Sequence, residues 1–144
     1  MVFLLDINLL VALFDSRHVN HEAAHGWFGE FGKSSWATCP ITENGVARVM
    51  SNPAYPTVSA TPVQVLDRLR ALCTQPGHVF WPDDVSILNA LPESMRESLQ
   101  GYQQLTDYYL VCLAAGHHGK LATFDGSLVR SLGSADAPIE LLRG

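Results

Sequence analysis

Asp6, Glu43, Asp107 and Asp125 are the residues of this chain whose types and placement could do chemistry together. Each carboxylate stands just after a short apolar run or in the first turn of a helical pattern. Brought to one place, such groups repel and need a cation between them. A hard divalent ion answers that need, because Mg²⁺ takes oxygen ligands and keeps several of its waters. An ion held in this way can activate water and polarise a phosphoryl oxygen, so phosphodiester hydrolysis is the chemistry to look for. Asp6 and Asp107 are the first choices as direct or water-mediated ligands. Asp125 and Glu43 are placed to hold a second ion or to orient water. Singly, each acid has a plainer role. Asp6 can cap a helix, Glu43 and Asp107 can favour a helix dipole from the first turn, and Asp125-Gly126 suits a turn. Their shared position after successive apolar segments is what points to a site.

Other spacings compete. His21-Glu22-Ala23-Ala24-His25 matches H-E-x-x-H, in which two histidines a helical turn apart hold Zn²⁺ and the glutamate serves as base. Phe28 and Phe31 stand where the glycine and third histidine of the extended motif belong, so the plainer reading is a pair of polar helix positions. Leu4-Leu5-Asp6-Ile7-Asn8 approaches the D-x-D motif of haloacid-dehalogenase-type phosphatases. Asn8 replaces the second acid there and would forfeit general acid catalysis. A non-catalytic binding module is the third alternative, and the complete acid set weighs against it.

The elements that must position these residues follow from hydrophobic period. Residues 2–5 make a short buried strand, and 8–14 a helix. A second helix spans 21–31, with Ala24, Trp27, Phe28 and Phe31 on one face. Residues 36–38 form a strand. Pro40 opens a helix over 41–50, as proline does at a first turn. Thr61-Pro62 caps a helix through Leu72 with Val65, Leu66, Leu69 and Leu72 inward. Residues 79–81 make a strand, and 83–104 hold a short helix near Ile87 within irregular chain. Thr106 caps a helix from Asp107 to Ala115, closed by Gly116. Strands at 121–123 and 139–142 complete the set. Strands alternating with helices predict an α/β fold with a mostly parallel sheet covered on both faces. In such sheets ligands bind beyond the carboxyl ends of the strands, where the four acids fall.

Composition narrows the function. The chain has 144 residues, enough for a single domain with one substantial core, and 47% of them are hydrophobic. A net charge of −5 excludes a coat that grips nucleic acid by charge alone. It permits a nuclease whose acids are neutralised by cations. With only nine Lys and Arg, a nucleic acid would be recognised by shape and unstacked bases more than by bulk charge. Arg48, on the helix of Glu43, and Arg17 are the candidate phosphate contacts of a nucleic-acid substrate; His18 and Lys33 could border the same mouth. The odd cysteine count, Cys39, Cys73 and Cys112, with no C-x-x-C pair, suits a reducing cytoplasm and small buried residues. No signal peptide or membrane span is expected.

The segments Leu4-Leu5-Asp6-Ile7-Asn8, Thr42-Glu43-Asn44-Gly45, Thr106-Asp107 and Ala122-Thr123-Phe124-Asp125 resemble the PIN domain, and in particular the VapC toxins of bacterial toxin–antitoxin pairs. His18-Val19-Asn20-His21, Trp36-Ala37-Thr38-Cys39-Pro40 and Ser51-Asn52-Pro53 look like one VapC subgroup. The resemblance covers nearly the whole chain and implies one PIN-like nuclease domain over 1–144, a three-layer α/β/α fold with a central mostly parallel sheet. It further implies a cytoplasmic Mg²⁺-dependent endoribonuclease (Mn²⁺ serving in its place), a VapB-type antitoxin partner whose arginine would pair with the acids, and a homodimer. A tRNA-like target, and cleavage to a 3′ hydroxyl and a 5′ phosphate, are implied in the same way. The family's acidic positions carry over to Asp6, Glu43, Asp107 and Asp125. Its accompanying hydroxyl matches Thr123 or Thr106, and Asn8 falls where it could bond a ligand or water.

Overall fold

A computed structural model describes residues 1–133 and 136–144. The chain opens with strand β1 (Phe3–Leu5) and helix α1 (Ile7–Phe14), then α2 (His21–Trp27) and a single π-helical turn (Phe28–Gly32). Next come β2 (Trp36–Thr38), α3 (Pro40–Ser51), α4 (Pro62–Cys73) and β3 (His78–Phe80). Two short helices, α5 (Ile87–Ala90) and α6 (Glu93–Ser98), and a 3₁₀ turn (Tyr102–Gln104) lead into α7 (Leu105–Gly116). The chain closes with β4 (Lys120–Thr123), α8 (Gly126–Leu132) and β5 (Ile139–Leu141).

The sheet has the order β3-β2-β1-β4-β5, and every neighbouring pair is parallel. Phe3 sits opposite Trp36 on one side and Lys120 on the other. Alternation along the strands feeds two cores, as the two-residue period demands. Leu5, Trp36 and Ala122 face the layer of α1 to α4, and Leu4, Ala37 and Leu121 face the layer of α5 to α8. This is the three-layer α/β/α arrangement expected. The chain leaves β1 for β2 and β3 on one side and returns to β4 on the other. The gap beyond β1 and β4 is therefore the switch point where such sheets place their ligands.

Local chemistry explains most boundaries. Thr61 accepts from the Gln64 amide at 3.2 Å and Gln64 bonds back at 2.9 Å, a capping box with Pro62 behind it. The Thr42 hydroxyl accepts from the Cys39 amide at 3.0 Å and fixes the start of α3. Gly45 is required by close packing, because a Cβ there would lie 2.3 Å from the Ile7 side chain of α1.

Several elements depart from the sequence reading. The helix expected over 21–31 widens after Trp27, and the Lys33 amide reaches the Phe28 carbonyl at 2.8 Å. That wider turn rotates Phe31 off the packed face, so it is 55% exposed rather than inward. Leu66 is likewise exposed, while Val65 and Leu69 carry the inward face of α4. Thr106 does not cap its helix: a 3₁₀ turn precedes it, α7 begins at Leu105, and Thr106 lies exposed inside the first turn. At the other end Gly116 is still helical, and the left-handed residue is His118. The next residue, His117, stacks its ring on Trp81 at 4.5 Å and meets Asp84 at 2.9 Å. Helix α6 was absent from the sequence reading, and Asp125-Gly126 begins α8 instead of making a simple turn. Of the cysteines, Cys39 and Cys112 are buried as expected, but Cys73 is only half-buried.

Candidate active site

Asp6 terminates β1 and caps α1. Its Oδ1 accepts from the Leu9 amide at 2.7 Å, and its own amide donates to the Ala122 carbonyl of β4 at 3.2 Å. The cap is why a helix starts one residue after a strand ends. The neighbouring strand supplies the second anchor. Thr123, fully buried, bonds the Asp6 carboxyl through its hydroxyl and also accepts from the Asp125 amide at 3.0 Å. Asp125 caps α8, its Oδ1 accepting from Ser127 at 3.0 Å and Leu128 at 3.2 Å. Asp107 enters from the first turn of α7 and shares a cavity of about 130 Å³ with Asp125, Gln103, Ser127 and Ser131.

These three aspartates act on one another. Burial pushes the Asp6 carboxyl up to about 7; the bonds from Thr123 and Leu9 oppose the rise, and the charges of Asp107 and Asp125 add to it. Asp107 is raised as well, by burial first and then by Asp125. A carboxyl held so far above its ordinary range marks a place where negative charge is uncompensated. All three groups are hard oxygen donors at a switch point, so the set fits a hydrated Mg²⁺ or Mn²⁺.

Glu43 faces a different set of neighbours. It lies in the first turn of α3, half-buried, and its Oε2 accepts from the Thr38 hydroxyl at 2.7 Å. The same hydroxyl meets Nε2 of His78 at 2.8 Å, and Cys73 also bonds to it. Among the described residues, Glu43, Cys73 and His78 are the group of potential metal ligands whose donor atoms all lie within 4.8 Å of one another. Thr38, Cys73 and His78 were not singled out as site residues in the sequence. They are separated along the chain, and only β2–β3 pairing and the end of α4 unite them.

The remaining candidates sit further out. Asn8, Thr106, Arg17 and Arg48 are exposed. The H-E-x-x-H histidines have a structural task. His21 Nδ1 bonds the Ala12 carbonyl at 2.7 Å and His25 Nε2 the Leu13 carbonyl at 2.9 Å, which satisfies the open C-terminal carbonyls of α1. No helix of the described residues is long and apolar enough to cross a membrane.

The PIN domain family model matches residues 3–131. Ribonuclease VapC39 of Mycobacterium tuberculosis is 42% identical over 131 residues, covering 91% of this chain and 94% of that protein. Two solved structures share the fold. VapBC2 from Rickettsia felis, bound to a DNA fragment from its promoter, superposes with a TM-score of 0.66 at 13% identity, over 99% of this chain and 100% of that one. The sarcin-ricin loop cleaving toxin VapC20 of M. tuberculosis gives 0.58 at 8% identity, over 90% and 94%.

Proposed function

The chain belongs to the PIN-domain family, among the VapC ribonucleases, and from that membership we propose that it cleaves a structured, tRNA-like RNA in a Mg²⁺-dependent reaction as the toxin of a toxin–antitoxin pair. The observation that carries the site assignment is the buried Asp6 carboxyl, held at about 7 beside Asp107 and Asp125. PIN nucleases use a divalent metal. Mg²⁺ in this place would neutralise the acids, stabilise charge on the phosphoryl group and favour ionisation of a bound water. Residues 1–144 would act as one catalytic unit.

The chain's own residues supply position and proton handling. Asp6 and Asp107 would hold the ion, directly or through water, and Thr123 fixes the Asp6 carboxyl by its hydroxyl bond. Asp125 shares a cavity with Asp107, where it can orient the attacking water or hold a second ion. Glu43, bonded to Thr38, would hold a second ion or orient water. Gln103, Ser127 and Ser131 line the mouth beside Asp107 and offer neutral hydrogen bonds to a phosphate or ribose. Asn8, Arg17 and Arg48 are exposed enough to meet RNA outside this cavity. The scarcity of Lys and Arg suits recognition by shape and unstacked bases.

A VapB-type antitoxin is the proposed partner, supported by the family and by the VapBC2 complex among the structural neighbours. An arginine from it would pair with the uncompensated aspartates. Val63 and Leu66, exposed on α4, offer apolar area for a homodimer.

The test is cleavage of total tRNA by purified protein, with and without Mg²⁺, beside the Asp6→Asn variant. Mg²⁺-dependent cleavage that Asp6→Asn loses supports the reading, and equal cleavage by both proteins overturns it. Preference for a ribosomal hairpin over tRNA would replace the target and leave the chemistry in place.

A further inference from the structure

Glu43, Cys73 and His78 come from three elements: the first turn of α3, the last residue of α4 and the first residue of β3. Their donor atoms lie within 4.8 Å of one another. They line a cavity of about 330 Å³ with Leu66, Leu69, Arg70 and Thr74, so an ion has an open approach. The fully buried Thr38 hydroxyl sits among them and bonds Glu43 at 2.7 Å and His78 at 2.8 Å. That hydroxyl ties the carboxylate and the imidazole to one point before any ion binds. One sulfur, one nitrogen and one oxygen make a borderline-soft donor set. It suits Zn²⁺ and its neighbours and is wrong for Mg²⁺. Three protein ligands leave a fourth position for water.

We propose that Glu43, Cys73 and His78 form a Zn²⁺-class site separate from the aspartate trio, and that its occupation withdraws Glu43 from RNA cleavage. The second half rests on the ribonuclease reading above; the first half does not. On binding, the Cys73 thiol releases its proton to solvent and the thiolate ligates the ion. The ion takes over contacts now made by the Thr38 hydroxyl. Zn²⁺ would then act as a brake on the toxin, through a ligand that the two sites compete for.

Co²⁺ titration of the metal-free, reduced protein tests the site, read by the thiolate-to-Co²⁺ charge-transfer absorption. The expected result is a band saturating at one equivalent, displaced by Zn²⁺ and unmoved by excess Mg²⁺. Cys73→Ser should lose the band, and His78→Ala should weaken binding at least about tenfold, the loss that even outer-shell partners can cost. Asp107→Asn should keep the band, since it alters only the trio. No band in the wild type, a band that survives in Cys73→Ser, or one lost in Asp107→Asn overturns the site. Circular dichroism of each variant establishes folding. In a second arm, Zn²⁺ added at saturating Mg²⁺ should suppress tRNA cleavage by the wild type and spare Cys73→Ser. Equal suppression of both overturns the brake. The absorption arm uses no RNA, so failure of the site and failure of the ribonuclease reading give different results.

Discussion

Helix α1 carries a buried aspartate at each end, and the two are in opposite states. Asp6, 5% exposed at the N-terminus, is raised to about 7 by burial and by the charges of Asp107 and Asp125. Asp15, 1% exposed at the C-terminus, is held below its ordinary range. Burial pushes Asp15 up too, but bonds from the Thr57 and Tyr55 hydroxyls and the Arg17 amide outweigh it. The helix dipole favours the opposite assignment, because negative charge is stabilised at an N-terminus. Local donors and local charges therefore decide. Asp15 has its charge matched by donors and ties the chain after α3 to α1, whereas the charge of Asp6, though hydrogen-bonded, faces two further carboxylates and is left to be neutralised by something that binds.

Replacing each aspartate sharpens that contrast. The largest effect expected is on catalysis. Asp6→Asn keeps the helix cap, because asparagine caps as well as aspartate. It should lower Mg²⁺-dependent cleavage by about a hundredfold or more, the rate equivalent of several kcal/mol of charge stabilisation. Asp15→Asn, assayed well below its melting temperature, should cleave at close to the wild-type rate per folded molecule. Comparable losses in both variants would dissolve the distinction.

Stability should respond the other way. Asp15→Ala strands two hydroxyls and an amide and should cost about 3 kcal/mol, as expected for bonds to a charged group. Urea unfolding measures it. Metal-free Asp6→Asn should be at least as stable as the wild type at pH 8, because it removes a buried charge.

The pH dependence should carry both signs. Asp6 binds its proton more tightly folded than unfolded, so in chelator the stability should fall as pH rises from about 4 to about 7 and level off above. The slope is at most about 1.4 kcal/mol per pH unit for one proton. Asp15 binds its proton less tightly when folded, so its contribution should be present above its unfolded pKa and vanish as pH falls through its folded one. Unfolding midpoints from pH 3 to 8 should lose the upper slope in Asp6→Asn and the lower one in Asp15→Asn. Saturating Mg²⁺ should stabilise the wild type more at pH 8 than at pH 5.

The smallest effect concerns the histidines near Asp15. His21→Ala or His25→Ala should cost about 1 kcal/mol each, the typical worth of one hydrogen bond, and leave cleavage unchanged. A metal-dependent activity lost with both histidines would restore the H-E-x-x-H zinc alternative.

Much of the fold was legible because it is local. The β1–α1 junction shows in an apolar run followed by an acid, and α4 in Thr61, Pro62 and Gln64. Each signal needs only neighbours within one helical turn. The stretch from Asp83 to Gln104 gave little, since α5 and α6 are too short for a period to declare itself. Helix α8 was hidden because Asp125-Gly126 suits a turn and a helix start equally well.

By itself the sequence determined the alternation of strands and helices, and so an α/β fold with acids after its strands. Cap, period and turn chemistry are short-range, and they are written within a few residues of where they act. Only the tertiary structure decided which buried aspartate has its charge compensated and which does not. Tyr55 and Thr57 reach Asp15 from 40 and 42 residues away, and Asp107 and Asp125 reach Asp6 across the sheet. It also turned Glu43 toward Thr38, Cys73 and His78. Burial and hydrogen-bond supply are properties of the packed neighbourhood, and that neighbourhood exists only once the sheet has assembled.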